Sequence, residues 1–403
     1  MTFVLPPLSL SALTATSAMG RGLGATRAAL LERRSGLHPV PAGMIPEMPG
    51  LWVGAVPGLE DVALPEALQR FDCRNNRLAE LALQGDGFAD AVSAARSRYG
   101  AGRIAVVLGT STSGIEATEQ AYQRRDAENR LPADFDYAGS HDLYALPRYV
   151  RARLELTGGP ALAISTACTS GARSFLEGAV MIASGLCDAA VVGGVDTLCR
   201  MTLRGFASLE LLARGPCRPC AADRDGITIG EAAGFALLER VADAPLGATR
   251  LLGAGASSDG HHMSSPHPEG LGAVAAMRAA LASAGLTPEA MDYINLHGTG
   301  TKANDAMEDR AVTRLFGARV PCSSTKGWTG HTLGASGALE AVIAAICLED
   351  GFIPGCLGVE PVDPSFGARV ATANDYRPLG HVLSNSFGFG GSNCALLLGR
   401  YDA

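Results

Sequence analysis

The strongest constraint on the fold of this chain is a rhythm that occurs twice. Short apolar runs with strand character alternate with helix-like segments, first between residues 103 and 239 and again between residues 271 and 398. In the first series, residues 103–109, 161–166, 189–193 and 234–239 read as buried strands. Residues 171–184 are apolar nearly all round, which predicts a central helix. In the second series, residues 293–296, 320–324, 381–384 and 394–398 read as strands, and 271–284 and 334–348 as helices. Gly285 supplies a C-terminal stop for the first of these helices. Such alternation implies α/β layers. The two series are of comparable size and meet near residues 243–247, so two similar halves are expected, 1–243 and 244–403. Residues 111–159 break the rhythm. They are polar, charged and partly helical over 142–157, as suits a cap or interface insertion.

Composition excludes several function classes. Lys+Arg number 33 against 40 Asp+Glu, a formal charge of −7, so no excess of positive charge seeks a nucleic-acid backbone. No stretch reaches the ~18–20 charge-free apolar residues of a membrane span. The best candidate, residues 178–195, is cut by Asp188. The first cation is Arg21, so the charged start of a signal peptide is missing and a cytoplasmic protein is expected. The ten Cys are scattered, and a chain of this size needs no disulfide framework. Cys217 and Cys220 have CxxC spacing without a second pair or nearby His ligands, so no metal site is expected there. Gly20-Arg-Gly22-Leu-Gly-Ala25 imitates a dinucleotide fingerprint but lacks the flanking strand and acid, and reads as a helix-entry turn.

Four clusters place polar residues among Gly and small side chains at strand ends. In Ile164-Ser-Thr-Ala-Cys168-Thr-Ser-Gly171 a strand runs into Cys168 just before a helix. A helix N-terminus favours thiolate, which makes Cys168 a candidate nucleophile; one more buried Cys is the alternative. In Leu296-His297-Gly-Thr-Gly-Thr301 a His ends a buried strand, as a cleft residue or a structural one. Lys326 and His331 precede a Gly/Ala-rich helix able to pack closely on a neighbour. The run 385–393 is a Gly-rich turn between strands, whose backbone N–H groups suit an oxyanion hole.

In this order and at these spacings, the four clusters resemble the condensing enzymes of the thiolase fold, in particular the elongating β-ketoacyl-acyl-carrier-protein synthases. Arg224-Asp-Gly226 with Gly230-Glu-Ala-Ala-Gly234, and His262-Met-Ser-Ser-Pro266, fit the same family. The resemblance implies two βαβ-type halves in an α/β/α/β/α core. It also implies a decarboxylative Claisen condensation of an acyl-thioester primer with a malonyl carrier, in fatty-acid or polyene synthesis. Cys168, His297 and His331 would be the catalytic set. Lys326 and Glu308 would pair and brace the site, and the backbone N–H groups of Cys168 and Phe389 would hold the oxyanion. Thr299 and Thr301 would hold the carrier's 4′-phosphopantetheine arm, Phe389 would gate the nucleophile, and Phe387, Phe206 and Thr112 would contact substrate. No metal or organic cofactor is implied, because the prosthetic arm arrives on the carrier.

The expected partners are an acyl carrier protein and a second subunit, either another copy or a chain-length-factor-like protein. Carrier proteins of this class are acidic, so a basic docking patch is expected. Arg70, Arg74 and Arg77, with Arg124 and Arg125, are the densest candidates. The alternative to a synthase is a non-catalytic, chain-length-determining subunit; the intact Cys168, His297 and His331 set argues against it.

The departures bear on substrate. Leu5-Pro-Pro-Leu-Ser-Leu stands where the family opens with a short strand, and Arg218-Pro-Cys220-Ala221 replaces the usual Arg-Pro-aromatic-Asp. Phe71-Asp-Cys-Arg-Asn-Asn-Arg77 and Gly109-Thr-Ser-Thr112 are similar to synthases of aryl-polyene pigment pathways.

Overall fold

The computed structural model describes residues 5–40, 44–45, 48, 50–243 and 249–400. Of the junction expected between the halves, residues 244–248 lie outside the described residues. Ten strands form the frame: β1 (Leu8–Ser17), β2 (Ile104–Gly109), β3 (Ala161–Ile164), β4 (Ala189–Asp196), β5 (Ala232–Arg240), β6 (Arg250–Ser258), β7 (Tyr293–Asn295), β8 (Pro321–Ser323), β9 (His381–Gly388) and β10 (Ser392–Gly399). The helices are α1 (Gly22–Leu31), α2 (Arg74–Leu83), α3 (Phe88–Tyr99), α4 (Ile115–Gln123), α5 (Ala145–Arg153), α6 (Ser170–Ala183), α7 (Arg200–Ser208), α8 (Leu271–Ala284), α9 (Lys302–Phe316), α10 (Lys326–Thr329) and α11 (Ser336–Asp350).

The strand order carries the doubling. One half runs β1-β5-β4-β2-β3 and the other β6-β10-β9-β7-β8. Both orders are first, fifth, fourth, second, third, with two antiparallel pairings followed by two parallel ones. The halves join where β1 meets β6 antiparallel, Leu8 opposite Leu251. α6 and α11 pack between the half-sheets in one shared core. The outer face of the first half is covered by α2, α3 and α5, and that of the second by α8 and α9. The layering is therefore α/β/α/β/α.

The central layer depends on small residues. A Cβ added to Gly337 of α11 would stand 2.6 Å from the Cβ of Ala172 in α6. One added to Gly171 would meet the backbone N of Ala338 at 2.8 Å. Every α11 residue from Ser336 to Leu348 is buried. Its sequence is accordingly apolar nearly all round, apart from Glu340.

Three expectations change. β1 begins at Leu8 despite the two preceding prolines, and with β6 it forms the seam of the molecule. Ser, Thr, Gly and Ala make both strands weakly apolar, so their pairing rather than their hydrophobicity holds them there. β3 is a sheet edge rather than a buried strand: its residues are half-buried and Leu162 is 38% exposed. Within residues 111–159, α5 contributes Leu146, Tyr149 and Val150 to the outer core, while residues 122–131 are exposed. Gly22 opens α1, whose Leu23 N–H donates to both carboxylate oxygens of Asp86 at 3.0 and 3.1 Å. The helix-entry turn thus already holds its own anion.

Candidate active site

The nucleophile candidate sits on a strained turn. After β3 the chain bends through Ala167, whose φ of +53° is left-handed and costs a non-Gly residue about 1–2 kcal/mol. The Ser170 hydroxyl secures the bend: it accepts from the Thr166 N–H at 2.9 Å and donates to the Ala167 carbonyl at 2.5 Å. Cys168 follows, buried, and α6 starts two residues later. β7 delivers His297, the loop after α10 delivers His331, and the β9–β10 hairpin presents Phe387 and Phe389.

The structure brings the three expected catalytic residues together, with one ligand-type atom of each within 4.8 Å of the others. His331 Nε2 stands 3.1 Å from the Cys168 Sγ, and its Nδ1 lies 2.9 Å from the Ser336 hydroxyl. The two imidazoles meet edge-on, with centroids 5.2 Å apart and planes at 82°. His297 also packs edge-on against Phe387 at 5.9 Å.

Burial lowers both histidine pKa values well below 6.5, and the Lys326 cation pushes them further the same way. Both rings are neutral at physiological pH. Burial pushes the Cys168 thiol up to about 11, although Lys326 and the N–H groups of Phe389 and Cys168 itself favour the thiolate. The expectation of a thiolate is thus corrected: desolvation outweighs the Lys326 charge and these N–H groups, and the resting group is a thiol. The same Phe389 and Cys168 amides face the sulfur, at the place the sequence suggested for an oxyanion hole.

Lys326 and Glu308 do not pair with one another, which corrects a second expectation. The Lys326 ammonium donates to Glu340 Oε1 at 2.6 Å and to the His297 carbonyl, and lies 3.4 Å from His297 Nδ1. Glu308 accepts from the N–H groups of His297 (2.8 Å) and Gly298 (2.7 Å) and from the Asn385 amide (3.2 Å). Burial pushes both Glu308 and Glu340 up to about 7, against these hydrogen bonds and the Lys326 charge. Each carboxylate therefore fixes one side of the His297 turn.

A cavity of about 360 Å³ contains Cys168, His297, His331, Thr299, Thr301 and Phe389. The Thr299 and Thr301 hydroxyls are 3.0 Å apart, and Thr301 caps α9. A second, apolar cavity of about 490 Å³ opens from Cys168 past Thr112, Phe206 and Phe389. The Phe206 and Phe389 rings are 5.6 Å apart. Thr112 binds Asp196 through both its N–H and its hydroxyl, each at 2.9 Å.

The arginines expected at a docking patch behave differently. Arg74 is only 8% exposed and donates to Glu231 at 2.6 and 2.9 Å, so it is a buried ion-pair partner rather than a surface cation. Arg70, Arg77 and Arg124 pair with Asp136, Asp72 and Asp134, and Arg125 lies over the Tyr122 ring. Neighbouring acids therefore balance this surface rather than leaving it basic. The Cys217 thiol donates to the Lys326 carbonyl at 3.3 Å, and the Cys220 N–H donates to Asp305. Among the described residues, only the Cys168, His297 and His331 group has metal-ligand spacing, and the Lys326 cation beside His297 opposes a metal ion there.

Two functional residues escape the sequence reading. Asp196, at the end of β4, gathers the Thr110 hydroxyl and the Ser111, Thr112 and Gly334 N–H groups, at 2.6–2.9 Å. It ties the loop after β2 to the loop that carries His331. Glu340 is the one acid inside the apolar part of α11, a signal available in the sequence.

A buried thiol flanked by two neutral imidazoles, on a doubled α/β frame, defines the Cys-His-His class of acyl-condensing enzymes. Within that class, residues 68–244 match the family model "Beta-ketoacyl synthase, N-terminal domain" and residues 248–360 match its C-terminal counterpart; the chain belongs to the β-ketoacyl synthase family. It is an acyltransferase, a β-ketoacyl-acyl-carrier-protein synthase of Cys-His-His type. It is 37% identical over 316 residues to 3-oxoacyl-acyl-carrier-protein synthase 2 of Rhizobium meliloti (strain 1021), covering 73% of this chain and 74% of the relative. Nodulation protein E of the same organism is 33% identical, covering 73% and 75%. Among solved structures, it is similar to the ketosynthase ApeO in complex with its chain length factor ApeC from Xenorhabdus doucetiae. That match has a TM-score of 0.90 and 39% identity, and covers 98% of both chains. The ishigamide ketosynthase/chain length factor gives a TM-score of 0.88 at 27% identity, covering 99% of this chain and 100% of the other. No helix among the described residues is long and apolar enough to cross a membrane.

Proposed function

We propose that the enzyme elongates a polyene-type acyl chain, acting in the cytoplasm on carrier-bound thioesters. The observation that carries the reaction is the 3.1 Å contact between His331 Nε2 and the Cys168 Sγ, with neutral His297 alongside. In the first step the thioester carbonyl enters the site and the thiol proton passes to His331 Nε2. The sulfur attacks the carbonyl, the Cys168 and Phe389 amides hold the oxyanion, and the carrier thiolate leaves with the proton. In the second step a malonyl thioester places its carbonyl oxygen between His297 and His331. Loss of CO₂ leaves an enolate that these donors stabilise, and its carbon attacks the acyl-Cys168 carbonyl, freeing the sulfur. The Ser336 hydroxyl can accept from or donate to His331 Nδ1, so His331 can change tautomer between the steps.

No metal or organic cofactor takes part in this scheme; 4′-phosphopantetheine comes with the carrier. The polyene assignment rests on the similarity of residues 71–77 and 109–112 to aryl-polyene synthases. It gains support from relatives solved together with chain length factors. The half-buried edge strand β3 supports a second subunit, either a copy of this chain or a chain-length-factor-like partner. The test is incubation with a labelled acyl carrier, followed by a malonyl carrier. A synthase keeps the label on Cys168 and then releases a β-ketoacyl product. A non-catalytic subunit never takes up the label, and a hydrolase releases it as free acid.

A further inference from the structure

The carboxylate of Asp196, wholly buried at the end of β4, turns its two oxygens to different loops. Oδ1 accepts from the Thr110 hydroxyl at 2.7 Å, the Ser111 N–H at 2.8 Å, and the Thr112 N–H and hydroxyl, each at 2.9 Å. Oδ2 accepts from the Gly334 N–H at 2.6 Å and from the Ser111 hydroxyl. Ser111, Thr112 and Leu333 line the apolar cavity that leaves Cys168. Gly334 lies three residues beyond His331. One side chain thus braces the cavity wall and the turn that carries the histidine.

That turn is strained. Leu333 has a φ of +52°, a left-handed conformation that crowds its Cβ against the following carbonyl. Its neighbour leaves no room to yield: a Cβ added to Gly334 would stand 2.7 Å from Asp196 Oδ2 and 2.9 Å from the Ser111 nitrogen. Gly334 therefore sits directly against the carboxylate, and its bond to Oδ2 opposes relaxation of Leu333. The other holds on the turn lie at His331 itself. Its N–H donates to the Thr228 carbonyl at 2.7 Å, and its Nδ1 meets the Ser336 hydroxyl at 2.9 Å. The Gly334 bond secures the far side.

We infer that Asp196 is a positioning residue for the acylation step: through the Gly334 N–H it holds the His331 turn where Nε2 reaches the Cys168 sulfur, a role that rests on the synthase reading above, in which His331 takes the thiol proton. Proton transfer needs donor and acceptor at hydrogen-bond distance, and a misplacement of about 1 Å costs on the order of 10²-fold in rate. Asp196→Asn cuts this tie selectively. Four donors keep an oxygen at the Oδ1 position, so the amide NH₂ takes the Oδ2 position and faces the Gly334 N–H, donor to donor. The Asp196 charge is also among the influences that push the Cys168 thiol up, so this variant changes two things at once. Gly334→Ala separates them, because its methyl displaces the carboxylate from the turn and leaves the charge in the protein.

The test is single-turnover acylation of Cys168 by an acyl-carrier thioester, with the full chain in its native assembly and the substrate concentration varied. Asp196→Asn and Gly334→Ala should each lower the maximal acylation rate constant about 10–10²-fold, with the half-saturating concentration held within about twofold. Thr110→Val, which removes a donor from Oδ1 and leaves the Gly334 tie, should acylate at near the wild-type rate although it too destabilises the fold. Unfolding midpoints of the three variants place their stability losses beside their rates. A maximal rate within about twofold of wild type in Gly334→Ala would overturn the inference, as would an equal loss of rate in Thr110→Val, which would make the Asp196 network a matter of stability alone. If Asp196→Asn does not fold, the comparison of Gly334→Ala with Thr110→Val still decides. Failure of the wild-type protein to take up any acyl group at Cys168 would instead overturn the synthase reading itself.

Discussion

His331 Nε2 lies 3.1 Å from the sulfur of Cys168, a contact that links the two half-sheets through their catalytic residues. The thiol it touches is raised to about 11, so little thiolate exists before substrate arrives. Cys168→Ala should remove the acyl adduct altogether, while malonyl decarboxylation by the histidines persists. Mass spectrometry after acyl-carrier incubation checks this, and an adduct on the variant would place the nucleophile elsewhere.

The two imidazoles should separate by step. Only His331 contacts the sulfur closely, whereas His297 stands between Lys326 and Phe387. His297→Ala should acylate at near the wild-type rate and lose about 10²–10³ in elongation. His331→Ala should be slow in both steps. Single-turnover acylation and elongation, measured separately, decide this; equal damage to acylation in both variants would deny the division of labour.

Glu308 predicts an acid limb. It is raised to about 7, and its ionised form accepts the His297 and Gly298 amides. As pH falls through 7 it gains a proton, and one acceptor oxygen becomes a donor facing an N–H. Both histidines titrate well below 6.5 and stay neutral across this range. Elongation by pre-acylated enzyme should therefore fall about tenfold per pH unit below 7, as for a single essential ionisation. Glu308→Gln should be slow at every pH and flat across the limb. A limb left unchanged in that variant would assign it to another group.

Arg74 is a stability residue. Its partner Glu231 is fully buried and also accepts the Val56 and Leu198 N–H groups. Arg74→Ala leaves that carboxylate unpaired and should cost about 3–5 kcal/mol in denaturant unfolding. Arg124→Ala, at an exposed pair, should cost ~1 kcal/mol or less. Comparable losses in the two variants would contradict the burial of the Arg74 pair.

What the sequence disclosed and what it concealed follow one physical division. Strands buried on both faces, such as β2 and β4, consist almost wholly of Val, Ile, Leu, Ala and Gly, and could be read directly. The local pattern of a strand end followed by Gly or Thr made Cys168 and His297 candidates, and the resemblance of all four clusters to the condensing enzymes joined them with His331 as the catalytic set. The seam strands β1 and β6 were concealed because backbone pairing to distant segments buries their Ser, Thr and Gly. The same limit hid the Lys326–Glu340 pair, whose partners sit on different helices, and the burial of Arg74, whose neighbour is 157 positions away. Arg74 and Arg77 look alike in sequence, yet one is enclosed and the other lies on the rim.

Thr112 tests where the acyl chain runs. It lines the apolar cavity next to Cys168, at a position where a branched, bulkier side chain would narrow the passage. Its hydroxyl donates to Asp196 and accepts from the Thr197 N–H at 3.1 Å, so the side chain also braces the loop that Asp196 ties to Gly334. Those two roles need separate variants. Thr112→Val keeps the volume and loses the hydroxyl; it should cost about 1–2 kcal/mol of stability and leave product length unchanged. Thr112→Phe adds a ring to the cavity wall, should cost about 1–3 kcal/mol through overpacking, and should shift products to shorter chains. The measurement is product length by mass spectrometry across a primer series, beside the unfolding midpoint of each variant. Shorter products from Thr112→Phe alone would place the chain in this cavity. Equal lengths for all three proteins would send the chain by another route from Cys168, and a shortening shared by Thr112→Val would trace the effect to the Asp196 tie.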